Sequence, residues 1–179
     1  MTSFYSDKEL KEIGLKSVGS KVLISRFAQI YSPSTISIGD NVRIDDFCIL
    51  SGDIDIGSHI HIGAYSALFG GGGIIMRDFS GLSSRVSIYS VSDDYNGGTL
   101  TNPCIPNEHR SIKHGLVEMK EHTVIGAGSV VMPNTTLNEG VAVGAMSLVK
   151  GCLKEWSIYA GIPARILKGR RKIDSLGLT

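Results

Sequence analysis

Residues 38–68 read IGDNVRIDDFCILSGDIDIGSHIHIGAYSAL, and every sixth residue of this stretch is aliphatic. These positions are Ile38, Ile44, Leu50, Ile56, Ile62 and Leu68. The same spacing continues through Ile74, Ser80 and Val86, where only Ser80 is polar. A helix repeats about every 3.6 residues and a half-buried strand every second residue, so neither alone explains a period of six. Short strands stacked coil on coil do explain it, and the sequence therefore predicts a β-helix.

An interruption divides this periodic pattern into two parts. After it, the spacing returns in a new phase at Met119, Ile125, Val131, Leu137, Val143 and Val149. Between the two parts, residues 91–116 read VSDDYNGGTLTNPCIPNEHRSIKHGL, and Pro103 and Pro106 oppose a long helix or a central strand there. The sequence predicts a protruding, structureless loop over 91–116. Long irregular segments in compact folds usually carry function, and a tolerated surface excursion is the alternative.

The pattern divides the chain into three segments. Residues 1–17 form an N-terminal cap, in which Ser6 and Glu9 predict a capping box and a short helix over 6–13. Residues 18–162 form the β-helix with its inserted loop. Residues 163–179 are expected to form a C-terminal helix and tail, with the helix over 163–172 beginning at Pro163.

The composition bounds the class of protein. The chain has 179 residues and a formal net charge of +1, which is unlike the basic footprint of a nucleic-acid binder. Its three cysteines lack metal-site spacing, and no secretory leader or membrane-length apolar run is evident. We therefore expect a cytoplasmic protein with free thiols, without membrane insertion. A late basic cluster within 165–172 suits either phosphate binding or a solvated helix end.

Two hexads, IGAGSV at 125–130 and VGAMSL at 143–148, resemble the repeat of the hexapeptide-repeat acyltransferases, [LIV]-[GAED]-x-x-[STAV]-x. AGIPA at 160–164 resembles the C-terminal signature of their sugar O-acetyltransferase branch. SDDY at 92–95 resembles acetyltransferases that modify bacterial surface polysaccharides and their nucleotide-sugar precursors. The resemblance covers about 20–170. It implies a left-handed parallel β-helix, acetyl-CoA as co-substrate without a metal, and a homotrimer with active sites between subunits.

The function that this resemblance implies is acetylation of a hydroxyl group on a sugar or nucleotide sugar, in O-antigen or capsule synthesis. N-acetylation of an amino sugar is the alternative, because nothing in the sequence decides between a hydroxyl and an amine. A γ-type carbonic anhydrase is a remote alternative that needs three histidines on zinc, drawn from His109, His114 and His59 or His61. A non-enzymatic β-helix, such as an ice-binding protein, is another, but it would have no use for the loop or the basic segment.

The family's usual catalytic base is a histidine. His122 is the first choice, since it stands where the loop rejoins the coils and three residues before Ile125. His114 and His109 on the loop are alternatives. Asp93 or Asp94 is expected to orient the histidine or the acceptor, although an Asp-rich turn is an equal interpretation.

Further residues are expected to bind the two substrates. The predicted sugar contacts are Tyr95, Asn102, His114 and His61. By position in the family repeat and signature, the predicted coenzyme A contacts are Ala127, Ala145, Ala160 and Gly161. Lys168 and Arg170 have the charge and reach to meet the phosphates of coenzyme A.

Overall fold

The computed structural model describes residues 3–172, which are almost entirely β-structure. The strands are β1 (Ser17–Val18), β2 (Leu23–Ile24), β3 (Gln29–Tyr31), β4 (Ile36–Ile38), β5 (Arg43–Ile44), β6 (Ile49–Ile56), β7 (His61–Ile62), β8 (Ala67–Met76), β9 (Gly81–Leu82), β10 (Ser87–Tyr89), β11 (Val91–Asp93), β12 (Ile112–His114), β13 (Val117–Met119), β14 (Val124–Ile125), β15 (Val130–Val131), β16 (Thr135–Leu137), β17 (Ala142–Val143), β18 (Leu148–Val149), β19 (Cys152–Leu153), β20 (Ser157–Ala160) and β21 (Arg165–Gly169). One α-helix, α1 (Asp7–Glu12), precedes them, and 3₁₀ turns cover Pro33–Thr35 and Asn107–His109.

The strands stack into about seven coils with three parallel faces. Face 1 consists of β1, β4, the second halves of β6 and β8, β13, β16 and β19. Face 2 consists of β2, β5, β7, β9, β14, β17 and β20. Face 3 consists of β3, the first halves of β6 and β8, β10, β15 and β18. We call the turns between faces 1 and 2 corner 1, those between faces 2 and 3 corner 2, and those between faces 3 and 1 corner 3. The predicted left-handed parallel β-helix is confirmed.

Each hexad buries two side chains rather than one. Ile36 and Ile38 are both nearly inaccessible to solvent, and so are Ile54 and Ile56 in the next coil. Residues two apart on a strand point the same way, so both reach the interior. Burying an isoleucine or leucine side chain contributes about 1.5–3 kcal/mol, and the stacked inward columns therefore supply the main stabilisation of the fold.

A two-residue bulge within 70–73 shifts the phase of the repeat. Gly52 pairs with Gly70, whereas Ile54 pairs with Ile74, so β8 carries two additional residues between these points. The main inward column then continues through Met76, Leu82 and Ile88. Ser80 and Val86 occupy the second inward position instead, and the predicted phase is wrong over this stretch.

The predicted N-terminal helix is confirmed as α1. The backbone N–H of Ser6 donates to Glu9 Oε2 at 2.8 Å, and Ser6 Oγ accepts from the Glu9 N–H at 3.4 Å, which completes the capping box. Leu10 is the buried residue of the helix, and the preceding Tyr5 N–H donates to the Ile24 carbonyl. The helix therefore packs on the first coil.

The predicted C-terminal helix is wrong. The chain reverses at Gly161, whose φ is +102°, and β21 then pairs antiparallel with β20. The residues of 165–172 favour a helix by propensity, but the outer edge of β20 offers unpaired backbone groups that a strand satisfies. The predicted tail beyond Lys172 lies outside the described residues.

The predicted loop protrudes from corner 3, but it is partly ordered as a hairpin rather than structureless. β11 pairs antiparallel with β12, with Val91 opposite His114. At its neck, the Gly115 N–H donates to the Ser90 carbonyl at 2.8 Å, and the Gly72 N–H donates to Ser90 Oγ at 2.8 Å. A Cβ at Gly72 would overlap the Ser90 carbonyl oxygen. The glycines of the bulge, residues 70–73, therefore fix the position of the neck of residues 91–116. We call this segment the insertion.

Candidate active site

A column of small residues follows corner 2 from coil to coil. Its members are Gly63, Ala64, Ser83, Ser84, Gly126, Ala127, Gly144, Ala145, Ala160 and Gly161. The coils approach closely here: the Gly126 N–H donates to the Val143 carbonyl at 2.8 Å, and a Cβ at Gly126 would lie 2.5 Å from the Ala145 nitrogen. Four predicted coenzyme A contacts, Ala127, Ala145, Ala160 and Gly161, therefore share one surface, which we call the small-residue groove.

The groove presents unused backbone donors. Ala127 and Ala145 are exposed, and in the described part of the chain their N–H groups donate to no protein acceptor. Backbone N–H groups are strong donors that require a partner when they are covered. They are consequently available to the amide carbonyls of a pantetheine arm.

A cleft of about 400 Å³ lies on face 2 and opens towards the groove. Its lining residues are His61, Gly63, Gly81, Leu82, Ser83, Ser84 and Val124. His61 Nε2 lies 2.7 Å from Asp45 Oδ2, while Asp45 Oδ1 accepts a 2.7 Å hydrogen bond from Arg43 Nε. Partial burial opposes ionisation of Asp45, but the hydrogen bonds from His61 and Arg43 outweigh it and lower its pKa. When Nε2–H of a neutral His61 donates this hydrogen bond to Asp45, the lone pair of the ring is on Nδ1.

His122 lies elsewhere, in an aromatic ladder at corner 1. Its ring stacks on Phe79 with centroids 5.2 Å apart, Phe79 stacks on His59 at 4.8 Å, and Trp156 lies 6.1 Å from His122 on the other side. Arg170 Nη1 donates to the carbonyls of His122 at 2.8 Å and Gly140 at 3.0 Å. Within one protomer, His122 is therefore at a different corner from both the insertion and the small-residue groove.

The predicted cations of the C-terminal segment have different surroundings. The contacts of Arg170 fasten the backbone just after β21 to corner 1. Lys168 is exposed on β21, opposite Ile158. Of these two predicted phosphate contacts, only Lys168 presents its side chain freely to solvent.

On the insertion, Asp93 and Asp94 are both held by cations. Asp93 accepts hydrogen bonds from Arg110 Nη2 at 3.0 Å and from the Asn102 N–H at 3.3 Å, and these contacts lower its pKa. The Asn96 N–H and Lys113 Nζ, each 3.0 Å from Asp94 Oδ1, lower the pKa of Asp94. Both side chains are therefore ionised near neutral pH and are weak proton acceptors.

The base of the insertion borders a second cleft, of about 380 Å³. Asp93 and Tyr95 line it, together with Tyr89, whose ring stacks on Phe69 with centroids 5.1 Å apart. Tyr95 is 87% exposed and free to contact a ligand. An aromatic wall beside a carboxylate suits a nucleoside or sugar.

The other two predicted sugar contacts are also on the insertion. Asn102 has φ +82°, and its Oδ1 accepts from the Cys104 N–H at 3.0 Å, so its side chain shapes the turn. His114 is exposed at the end of β12. The structure thus brings Asp93, Asp94 and Tyr95 together with these two residues on the insertion, and it separates all of them from His61 and the groove.

Asp45 is a site residue that the linear sequence pattern did not indicate. It lies on the coil adjacent to His61, with Arg43 directly opposite His61 in the pairing of β5 and β7. Arranging the sequence in successive coils would have revealed this cluster, because residues one coil apart stack on the same face.

Comparison with known proteins gives the family. No family model matches the chain. The chain is 44% identical, over 95% of its length and 90% of the relative's, to a dTDP-4-amino-4,6-dideoxy-D-glucose acyltransferase from Escherichia coli. The chain belongs to the hexapeptide-repeat acyltransferases. As a member of this family, the chain uses an acyl-CoA as its co-substrate.

Solved structures agree with this assignment. The structure of this chain superimposes with a TM-score of 0.93 on AntD, an N-acyltransferase from Bacillus cereus solved in complex with dTDP and 3-hydroxybutyryl-CoA. The two sequences are 56% identical, and the match covers 96% of this chain and 92% of AntD. A serine variant of AntD has been solved with dTDP-4-amino-4,6-dideoxyglucose and coenzyme A. A putative lipopolysaccharide O-acetyl transferase of Escherichia coli K12, WbbJ, is more distant, at 28% identity over 78% of this chain and 74% of its own. The N-acylation alternative is therefore better supported than the expected hydroxyl acceptor.

Within residues 3–172, no three His, Cys, Asp or Glu side chains converge so as to hold a metal ion. The same residues contain no helix long and apolar enough to cross a bilayer.

Proposed function

We propose that this acyltransferase transfers an acyl group from acyl-CoA to the 4-amino group of dTDP-4-amino-4,6-dideoxyglucose or a closely similar nucleotide amino sugar. The observation that carries the proposal is the likeness to AntD over 96% of the chain, at 55–56% identity. The amine nitrogen attacks the thioester carbonyl, the C–N bond forms and the C–S bond breaks. The amine loses a proton, and the coenzyme A thiolate gains one.

The free backbone donors of the small-residue groove support its role as the coenzyme A site. The pantetheine arm carries two amides, whose carbonyls can accept from groups such as the N–H of Ala127 and of Ala145. The small side chains leave the arm room to lie close to the backbone. Lys168 is an exposed cation on β21, the strand that pairs with the end of β20 carrying Ala160, and it is available to the phosphates.

Geometry favours His61 over His122 as the acceptor of the amine's proton. His61 has a carboxylate partner that fixes its orientation, and it stands beside the groove. The ring of His122 is packed between Phe79 and Trp156, as a structural side chain would be. The ionised Asp93 and Asp94 suit binding of the sugar's amino group better than proton abstraction, because their lowered pKa values make them weak bases.

A homotrimer would bring the insertion of one subunit next to the small-residue groove and His61 of another. The insertion leaves from corner 3 and the groove follows corner 2, so the insertion of one subunit can cover the groove of the next. Phe27, Phe47 and Tyr65 stack along corner 2 while roughly half exposed, and exposed apolar patches of this kind mark interaction surfaces. Light scattering should give three times the chain mass, and a monomer active at the same concentration would refute the shared site.

The proposed acceptor is tested by release of the coenzyme A thiol. Acyl-CoA is mixed with dTDP-4-amino-4,6-dideoxyglucose or with the matched sugar that carries a 4-hydroxyl group. We expect turnover with the amine only, and a product whose acyl group resists mild alkali as an amide does. Turnover with the hydroxyl sugar alone, giving an alkali-labile ester, would restore O-acylation.

A further inference from the structure

A single glycine interrupts the outward row of side chains on face 2. The residues paired across its parallel strands are Leu23, Arg43, His61, Gly81, Val124, Ala142 and Ile158. Gly81 is the only member of this row without a side chain. Glycine within a strand weakens it, and it often marks a place where a ligand or another backbone approaches closely.

The fold itself does not require glycine at position 81. Its backbone is not in the left-handed region, and a Cβ would lie 3.4 Å from the His61 carbonyl oxygen, an ordinary contact. The neighbouring glycines differ in this respect. A Cβ at Gly63 would lie 2.7 Å from the Ser84 nitrogen, and one at Gly126 would lie 2.5 Å from the Ala145 nitrogen. The approach of the coils therefore explains Gly63 and Gly126, whereas Gly81 needs another reason.

The missing side chain leaves a notch. His61 forms one wall and Val124 the other, and both side chains are more than one-third exposed. Asp45 holds the imidazole wall in place. Towards corner 2 the notch opens past Ser83 and Ser84 into the small-residue groove.

We propose that the Gly81 notch receives the acyl chain of acyl-CoA and that residue 81 limits the length of chain accepted. This inference rests on the proposed function. If the pantetheine arm lies in the small-residue groove, the acyl carbons beyond the thioester must continue into neighbouring space. The notch is the space that adjoins both the groove and the anchored histidine. Its apolar wall, Val124, suits a short aliphatic chain.

Side-chain volume at this position should set the selectivity. A methyl group at residue 81 fills space that a butyryl chain would use and an acetyl group would not. One methylene in an apolar pocket changes discrimination by about 10–200-fold. Gly81→Ala should therefore reduce the ratio of kcat/KM for butyryl-CoA to that for acetyl-CoA by about tenfold or more. Val124→Ala widens the notch from the other side and should raise the same ratio.

The experiment compares the wild-type enzyme, Gly81→Ala, Val124→Ala and Gly169→Ala with acetyl-, propionyl- and butyryl-CoA at a fixed amino-sugar concentration. Gly169 is the matched control, since it lies on β21 of the same sheet and a Cβ there would contact nothing within 4 Å. Its ratio should equal that of the wild type. An unchanged ratio in Gly81→Ala with normal turnover would overturn the inference.

Two further readouts keep the outcomes separate. Wild-type turnover of the amino sugar judges the proposed function, and the selectivity ratio judges the notch. If the wild type turns over no acceptor, calorimetric binding of acetyl- and butyryl-CoA to the same four proteins supplies the ratio. If Gly81→Ala alters the subunit count but not the ratio, the notch is a contact between copies and the inference fails.

Discussion

His61 Nε2 lies 2.7 Å from Asp45 Oδ2, and the two residues stand on adjacent coils, His61 on β7 and Asp45 in corner 2 directly after β5. The imidazole is more than half exposed, while the carboxylate is only 18% exposed and also bonds Arg43. An exposed ring is thus anchored by a largely covered group. Such an arrangement fixes which nitrogen of the ring is free and where it points.

The Asp45–His61 pair should matter for rate more than for stability. His61→Asn is expected to lower kcat by about 10²–10⁴-fold if His61 accepts the amine's proton, because general base catalysis contributes about that factor. Asp45→Asn should lower kcat less, since the base remains but loses its fixed orientation. Initial rates of thiol release at saturating substrates measure both effects. His59→Asn is the matched control, and a His61→Asn rate within twofold of wild type would contradict the assignment.

His122 should behave as a structural residue. His122→Ala removes its stacking on Phe79 and its tilted contact with Trp156, and an aromatic pair contributes about 0.5–1.5 kcal/mol. The free energy of unfolding in urea should fall by about 1–2 kcal/mol, while kcat at saturating substrates stays within about threefold. His109→Ala, on the exposed insertion, should leave unfolding unchanged. Lost turnover with unchanged unfolding would instead establish His122 as the base that the sequence predicts.

The insertion should loosen in acid. In the folded chain, Arg110 and the Asn102 amide lower the pKa of Asp93, and the Asn96 amide and Lys113 lower that of Asp94. Their stabilisation is fully present above the unfolded pKa of about 3.9 and is lost as pH falls through the lower folded values. Hydrogen exchange of 91–116, corrected for intrinsic rates, should accelerate below about pH 4. Asp93→Asn should weaken this dependence, and a protection factor that is constant down to pH 2.5 would refute it.

The three cysteines should differ sharply in reactivity. Cys48 is fully buried, and burial raises its pKa to about 11, whereas Cys104 and Cys152 are exposed. The thiolate is the reactive form, so Cys48 should resist alkylation at pH 8. Mass spectrometry after brief iodoacetamide treatment should show two adducts, and a third only after denaturation. Three adducts on the folded protein would show that the core opens at Cys48.

The sequence predicted the coils but not their exact phase, and the reason is geometric. Each hexad buries residues two apart, so a slip of two residues exchanges one inward position for the other and leaves the apolar pattern intact. Ser80 and Val86 are therefore buried in either phase. The C-terminal strand was missed because the free edge of β20, a tertiary feature, overrides local propensity at Arg165–Gly169. The pairing of Asp45 with His61 likewise depends on stacking between coils.

The glycine run that seats the insertion gives a last prediction. Gly72→Ala would place a methyl group on the Ser90 carbonyl oxygen, which also holds the Gly115 N–H. Backbone on both sides cannot yield as a flexible side chain would, so the free energy of unfolding should fall by about 1–3 kcal/mol. Gly81→Ala is the control, since its methyl group meets only an ordinary contact and should leave stability unchanged or slightly raised. Urea unfolding of both variants measures the difference. Equal stabilities would mean that the neck of the insertion can shift to accommodate the methyl group, and that the glycines at 70–73 do not fix the position of the insertion.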